Sequence, residues 1–307
     1  MTDTHGGAGR RAVSLHSPDK VMFPEVGFTK ADLWAYLDAV SPALLPQLAD
    51  RPVTRVRFPG GVTGERFFEK NTPRNAPRWL RRLTLSASPG TRTTRGRAPK
   101  QVTYPLIDST DGLKWMADQA ALEFHTPQWR VGPRGGVHRP DRLVIDLDPG
   151  EGVGLEACAR VAHLVRDRLA EDGLAAWPVT SGGKGLHLYA AVPGDSPALV
   201  RGRTSRAVHA FVGDLAHELA DQHPDLVVAR AGAGHRVGRV LVDWSQNHAA
   251  RSTATPYTLR ARGSRPTVAA PRHWEEIGPD LRQLGPEDVV ARLHRDGDLM
   301  ARHGLVP

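Results

Sequence analysis

The 307-residue sequence predicts an α/β fold, on three observations. Short apolar runs at 53–58, 143–148, 176–180, 186–192 and 240–243 read as strands, several of them buried on both faces. Two longer stretches carry apolar residues at helical spacing: Leu155, Cys158, Val161, Val165 and Leu169, then Val208, Val212, Leu215 and Leu219. No apolar run approaches the roughly 18 residues of a membrane span, and Cys158 is the only cysteine, which removes any disulfide framework or cysteine-rich metal site. A protein of the reducing cytoplasm, with no membrane partner, is expected.

In chain order, residues 1–11 are polar and glycine-rich without the apolar core of a secretory signal, so 1–13 is expected to be a disordered tail. Thr29-Lys-Ala-Asp32 resembles a capping box, followed by Leu33, Tyr36, Leu37 and Val40 at helical spacing. Pro42 and Pro46 are expected to end that helix. Residues 66–70 read as a strand and 111–122 as a helix. Between them, 86–100 holds Ser, Thr, Pro, Gly and four basic residues (Arg92, Arg95, Arg97, Lys100), an exposed basic loop. From His273 onward, helix interrupted by prolines is expected. No long polar linker divides the middle, so 14–300 is taken as one unit.

Lys and Arg number 41 against 33 Asp and Glu, a net charge of +8. The preference for Arg over Lys is compatible with a GC-rich genome, but the net positive charge favours an anionic partner, chiefly nucleic acid.

Asp146 and Asp148 end an apolar strand two residues apart. Their side chains therefore share a face, with Cα atoms about 7 Å apart. Left unpaired, the two carboxylates repel; a Mg²⁺ or Mn²⁺ ion removes the conflict. Asp243, at another strand end, offers a third carboxylate, and such a set can hold two metals for phosphoryl or nucleotidyl transfer. The plain alternative is that each Asp caps a loop or pairs with an arginine. Ser181-Gly-Gly-Lys-Gly-Leu-His187 joins two strands; its glycines would let amides approach an anion, with Lys184, His187 and Ser181 beside them. It lacks the Walker A spacing, and an ordinary hairpin turn is equally open. His217, Glu218 and His223 lack zinc-protease spacing and read as a solvated helix face. Phe67 and Phe68 point to opposite faces of a strand, one into the core and the other free to stack on a base beside Arg66 and Lys70.

Seven segments occur in a telling order: Pro18-Asp-Lys20-Val-Met-Phe-Pro24, Phe67-Phe-Glu-Lys70, Glu123-Phe-His-Thr-Pro-Gln-Trp129, Leu143-Val-Ile-Asp-Leu-Asp-Pro-Gly150, the Ser181–His187 segment, Val242-Asp-Trp-Ser-Gln-Asn247 and Pro256-Tyr-Thr-Leu-Arg260. Together they resemble the polymerase domain of bacterial DNA ligase D, in the archaeo-eukaryotic primase superfamily, over about residues 14–300. The resemblance implies a primase-like core with two β-sheets flanking the active site. It implies that Asp146, Asp148 and Asp243 bind metal, that His187 meets the triphosphate and Ser181 the sugar, and that Lys184, His125 and Arg260 complete the nucleotide site. Phe67 and Phe68 would stack on template bases, Arg236 would lie near the template and primer terminus, and Lys20 and Lys30 would hold a DNA 5′-phosphate. The basic loop 86–100 would be a mobile DNA contact.

The implied activity is template-dependent nucleotidyl transfer that fills gaps or extends ends, as in non-homologous end joining, with ribonucleotides preferred and two Mn²⁺ or Mg²⁺ ions. The implied partners are gapped or broken DNA, NTP or dNTP, and a separate DNA ligase and Ku-like protein. The chain has no room for a ligase or phosphoesterase domain, and its own Met and tail favour a stand-alone polymerase; excision repair is then an alternative setting. Two further alternatives are a primase starting chains de novo and a non-catalytic DNA-end binder that recruits a ligase. The acidic set speaks against the pure binder, which gains nothing from acids facing DNA.

Overall fold

The computed structural model of the protein describes residues 13–86, 101–193, 204–230, 232 and 236–305. The expected tail and basic loop lie outside the described residues, apart from Val13, which packs against the core, and Ser86, which ends a strand.

A six-stranded sheet runs in the order Val227–Val228, Val240–Asp243, Arg142–Pro149, Leu186–Ala191, Ala176–Thr180, Ala270–Pro271. Its pairings are antiparallel except the first. The Arg142–Pro149 strand is apolar at nearly every position up to Asp146 because both its faces are covered. On one face Leu143, Ile145 and Leu147 meet the helices Leu155–Glu171 and Ser205–Gln222 through Val161, Val165, Leu169, Val208, Val212 and Leu215. On the other face Val144, Val179 and Tyr189 join a second core. That core is filled by the helices Lys30–Ala39, Ser41–Leu48 and Thr110–Asp118 and by a four-stranded sheet. The second sheet has the order Thr253–Ala254, Ala121–Thr126, Thr54–Arg57, Phe67–Glu69. The α/β fold is therefore as expected, with these two larger sheets accompanied by four two-stranded pairs among the described residues.

The capping box forms: Thr29 Oγ1 accepts the Asp32 amide at 3.2 Å, and Asp32 accepts the Thr29 amide at 2.7 Å. Three expectations are corrected. Pro42 does not end a helix; it opens Ser41–Leu48, where a missing N–H costs nothing, and Pro46 lies inside that helix. The helix expected over 111–122 stops at Asp118, the chain turns at Ala120 with φ +53°, and Ala121 starts a strand. The strand opens with Ala121 and Leu122, which follow Leu113, Met116 and Ala117 at helical spacing, so the sequence shows no break at the turn. Ser86 belongs to a hairpin of Arg82–Ser86 with Gln101–Pro105 rather than to a loop. Among the described residues, no helix is long and apolar enough to cross a membrane.

Candidate active site

Cross-strand register assembles the acids. Asp146 sits directly opposite Asp243 on one neighbour and opposite His187 on the other. Directly opposed residues share a face with Cβ atoms about 5 Å apart, so Asp243, Asp146 and His187 form one row across the sheet. The row lies on the face turned toward the second sheet, away from the Leu155–Glu171 helix. Asp146 is only 23% exposed, with His187 Nε2 at 3.5 Å. Burial, then Asp243 and Asp148, push its carboxyl up to about 7, while Arg260 and Arg236 draw it back.

The other two acids have protein partners. Asp243 Oδ1 accepts the Ser245 amide at 2.8 Å, capping the turn after its strand. Asp148 Oδ2 accepts from Arg236 Nη2 at 2.6 Å. The three carboxylates therefore share a face without converging, and among the described residues no group of three or more His, Cys, Asp or Glu is gathered to hold a metal ion. The Asp146–Asp243 pair nevertheless fits a divalent cation: two carboxylates face each other, and the buried one is strained toward protonation. The pairing of Asp148 with arginine is the plain alternative that the sequence left open.

The Ser181–Gly185 loop is built differently from an open anion cradle. Ser181 Oγ accepts the amides of Gly183 at 3.1 Å and Gly185 at 3.2 Å, and the Gly182 amide goes to Gln283 Oε1 at 2.8 Å. These three amides are thus used inside the protein, which corrects the expectation that they turn to a ligand. What the loop presents instead is its side chains: exposed Lys184, and Ser181, whose hydroxyl proton remains to be donated. Two glycines are dictated by space. Gly182 has φ +67°, and a Cβ there would stand 2.4 Å from Arg260 Cγ; one on Gly185 would stand 2.0 Å from the Leu147 carbonyl oxygen. His187 is 3% exposed, its Nδ1 has no hydrogen-bond partner, and burial with Arg260 holds it down to about 3, so the imidazole is neutral.

From the second sheet come His125 and Glu123, with Arg260 and Arg262 bridging the two walls. Glu123 is fully buried; it hydrogen-bonds His125 Nε2 at 3.0 Å and accepts the Ala261 amide at 3.1 Å, with ion pairs to Arg260 Nε at 3.3 Å and Arg262 Nη2 at 3.6 Å. Burial would raise its carboxyl, but the His125 hydrogen bond and the two arginines hold it at about 2. Arg260 Nη1 also donates to the Ser181 carbonyl at 2.5 Å, tying the glycine loop to this cluster. Sequence reasoning missed Glu123, Arg262 and Gln283 as site builders. Glu123 had a signal, since Glu-x-His places both side chains on one face; Gln283 had none.

Phe68 is 56% exposed and touches the His125 ring edge-on at 5.7 Å, while Phe67 takes the opposite face. Lys20 and Lys30 are brought to one corner but are already engaged. Lys30 pairs with Asp118 at 3.1 Å and donates to the His16 carbonyl at 2.7 Å, and Lys20 donates to the Pro59 carbonyl. His217 hydrogen-bonds the Gly213 carbonyl at 2.7 Å and Glu218 accepts from Arg168 at 2.8 Å, in keeping with an ordinary helix face.

The family model described as LigD, primase-polymerase domain, matches residues 29–300. The multifunctional non-homologous end joining DNA repair protein LigD of Mycobacterium tuberculosis is 46% identical over 303 residues, covering 97% of this chain and 38% of its own length. The bifunctional non-homologous end joining protein LigD of Bacillus subtilis is 29% identical over 283 residues, covering 92% of this chain and 42% of its own. The chain thus spans about two fifths of the length of these relatives. Among solved structures, the polymerase domain from Mycobacterium tuberculosis ligase D in complex with DNA superposes with a TM-score of 0.86 at 44% identity, covering 96% of this chain and 99% of that one.

Proposed function

Because the chain belongs to the LigD primase-polymerase domain family, whose members are metal-dependent nucleotidyltransferases, we propose that it adds nucleotides to a primer 3′-hydroxyl opposite a template strand. The work is filling gaps and extending ends in DNA repair such as non-homologous end joining, with NTP preferred over dNTP. Its partners are gapped or broken DNA bearing a 5′-phosphate, a separate ligase and a Ku-like end-binding protein.

The observation that carries this reading is the row Asp243–Asp146–His187 set beside His125 of the second sheet and Arg260 of the neighbouring two-stranded pair. Acids and phosphate-binding groups meet in one cleft. Asp146 and Asp243 would hold Mn²⁺ or Mg²⁺, which would supply Lewis acidity toward the 3′-hydroxyl and the triphosphate. Asp148, which pairs with Arg236, would be the residue to hold a second ion. Arg260 and Lys184 bring positive charge to the triphosphate, and neutral His187 offers the unpartnered Nδ1. Ser181 donates its hydroxyl proton to a ribose 2′-oxygen, and a site built for that bond discriminates against the deoxy sugar. Phe68 offers its face to a template base.

Primer extension on a gapped template, with rNTP and dNTP in competition, tests the reading. Asp146→Ala and Asp148→Ala should abolish extension while DNA affinity, which rests on Lys and Arg contacts to phosphate, stays within about twofold. Wild-type extension by either variant overturns the assignment. A dNTP preference of about tenfold overturns the sugar selection, and product from unprimed template identifies a primase.

A further inference from the structure

Beyond the acidic row, the active face carries a second cluster of unspent charge. Phe68 and the following Lys70 lie two residues apart, so they project to the same face about 7 Å from one another. Lys70 lines a cleft of about 50 Å³ together with Thr54, Tyr104, Trp129, Arg251 and Ser252, among others. Thr54 is the cross-strand partner of His125, and Arg251 and Ser252 lead directly into the Thr253–Ala254 edge strand. The cleft is thus continuous with the surface that holds Phe68 and His125.

Neither cation is neutralised. Lys70 is half-buried beside exposed Arg251, whereas the buried or half-buried arginines of the neighbouring strand, Arg55 and Arg57, both pair with Glu69, at 2.9 and 3.0 Å. Lys70 and Arg251 have no ion pair among the described residues, and no Asp or Glu lines the cleft. Burial and the neighbouring Arg251 both weaken the hold of Lys70 on its proton, so the pair is a standing repulsion that an anion would relieve. The Trp129 ring borders the cleft with its indole N–H already given to the Ala249 carbonyl at 3.0 Å, which leaves its carbon edge and the Tyr104 ring as apolar rims. The volume admits a group of a few waters' size, not a base.

We propose that Lys70 and Arg251 form a phosphodiester-binding subsite for the single-stranded part of the template, one step beyond the base stacked on Phe68. A stacked base and a clamped phosphate on one face are the two elements by which proteins hold single strands without reading sequence. The inference rests on the proposed polymerase function for the identity of the strand, but not for the existence of the subsite.

The test is equilibrium binding, by fluorescence anisotropy, of a gapped template and a blunt duplex to wild type, Lys70→Ala, Arg251→Ala and the double variant. The expected result is about tenfold weaker binding of the gapped DNA by the double variant, with blunt duplex unchanged. The slope of log affinity against log salt should fall by roughly 0.7 for each lost contact on single strand. A neutral methylphosphonate at the phosphate beside the unpaired base should weaken wild type and leave the double variant unaffected. Lys70→Arg should restore binding, separating charge from packing. Equal losses on gapped and blunt DNA overturn the subsite, as does a double variant that binds gapped DNA like wild type. Competition by inorganic pyrophosphate that is lost in the double variant, without loss of gapped DNA, overturns the strand assignment in favour of a free anion. Failure of wild type to extend any primer would refute the polymerase reading while leaving these binding outcomes intact.

Discussion

Glu123 offers the sharpest test of how the site is held together, through Glu123→Gln. The substitution keeps the shape and removes the charge on which His125, Arg260 and Arg262 converge. In the folded protein the carboxyl is held at about 2 against an ordinary 4.5. At 1.36 kcal/mol per pH unit this difference is worth about 3 kcal/mol. Breaking a buried ion pair by removing one partner costs about 3–5 kcal/mol, the same range. For a chain of this size that corresponds to a Tm lower by roughly 5 °C. The pH dependence has a definite sign. The folded-state value lies below the unfolded one, so the contribution is complete above pH 4.5 and fades as pH falls toward 2. Scanning calorimetry of wild type and variant should therefore show the full gap at pH 7 and less than half of it at pH 3. A gap below about 1 °C at pH 7 would refute the reasoning, and so would a gap that stays constant down to pH 3, since the stabilisation would then not come from the ionised carboxylate.

Gly185→Ala should lower Tm by several degrees and abolish nucleotide binding, because its Cβ would stand 2.0 Å from the Leu147 carbonyl oxygen; Gly136→Ala, with open space around it, is the control for thermal shift. If both tolerate alanine equally, the loop is not packed as described. Lys30→Ala should remove the discrimination between phosphorylated and hydroxyl 5′ ends of a gap, measured as affinity at fixed salt. Asp118→Asn should sharpen that discrimination, because Asp118 competes for the same ammonium at 3.1 Å; an unchanged ratio in Asp118→Asn would exclude the competition.

What was legible in the sequence followed the parity of strands and the period of helices. The strand ending at Asp146 and Asp148, the two helices behind it and the Thr29 capping box all announce themselves locally. The helix that overran to Leu122 did not, because Ala121 and Leu122 of the following strand continue the helix's apolar spacing and the intervening turn has no Gly or Pro to mark it. Pro42 misled because the same ring that breaks a helix interior suits a helix start. At the site, residue types were readable and their commitments were not. Nothing in Ser181-Gly-Gly says that the serine oxygen will take the loop's own amides, or that Gln283 will take another from about a hundred residues away. Nor does Asp148 declare that Arg236 will claim it. The seven-segment resemblance points to the family, which the comparisons bear out, and implies roles for residues that local patterns leave open.

The glycine loop has a consequence for where this unit can be cut. Its amide and carbonyl ends are gripped by Gln283, its Gly182 carbonyl by Thr267, and its Ser181 carbonyl by Arg260. All three grips come from chain that follows the last acid, Asp243. A fragment trimmed shortly after Asn247 would retain every carboxylate of the row and the loop itself, yet release the loop from its mould. The stretch from 260 to 283 is therefore a splint rather than an appendage. Swapping it between relatives would change how the loop is held while leaving Asp146, Asp148 and Asp243 in place.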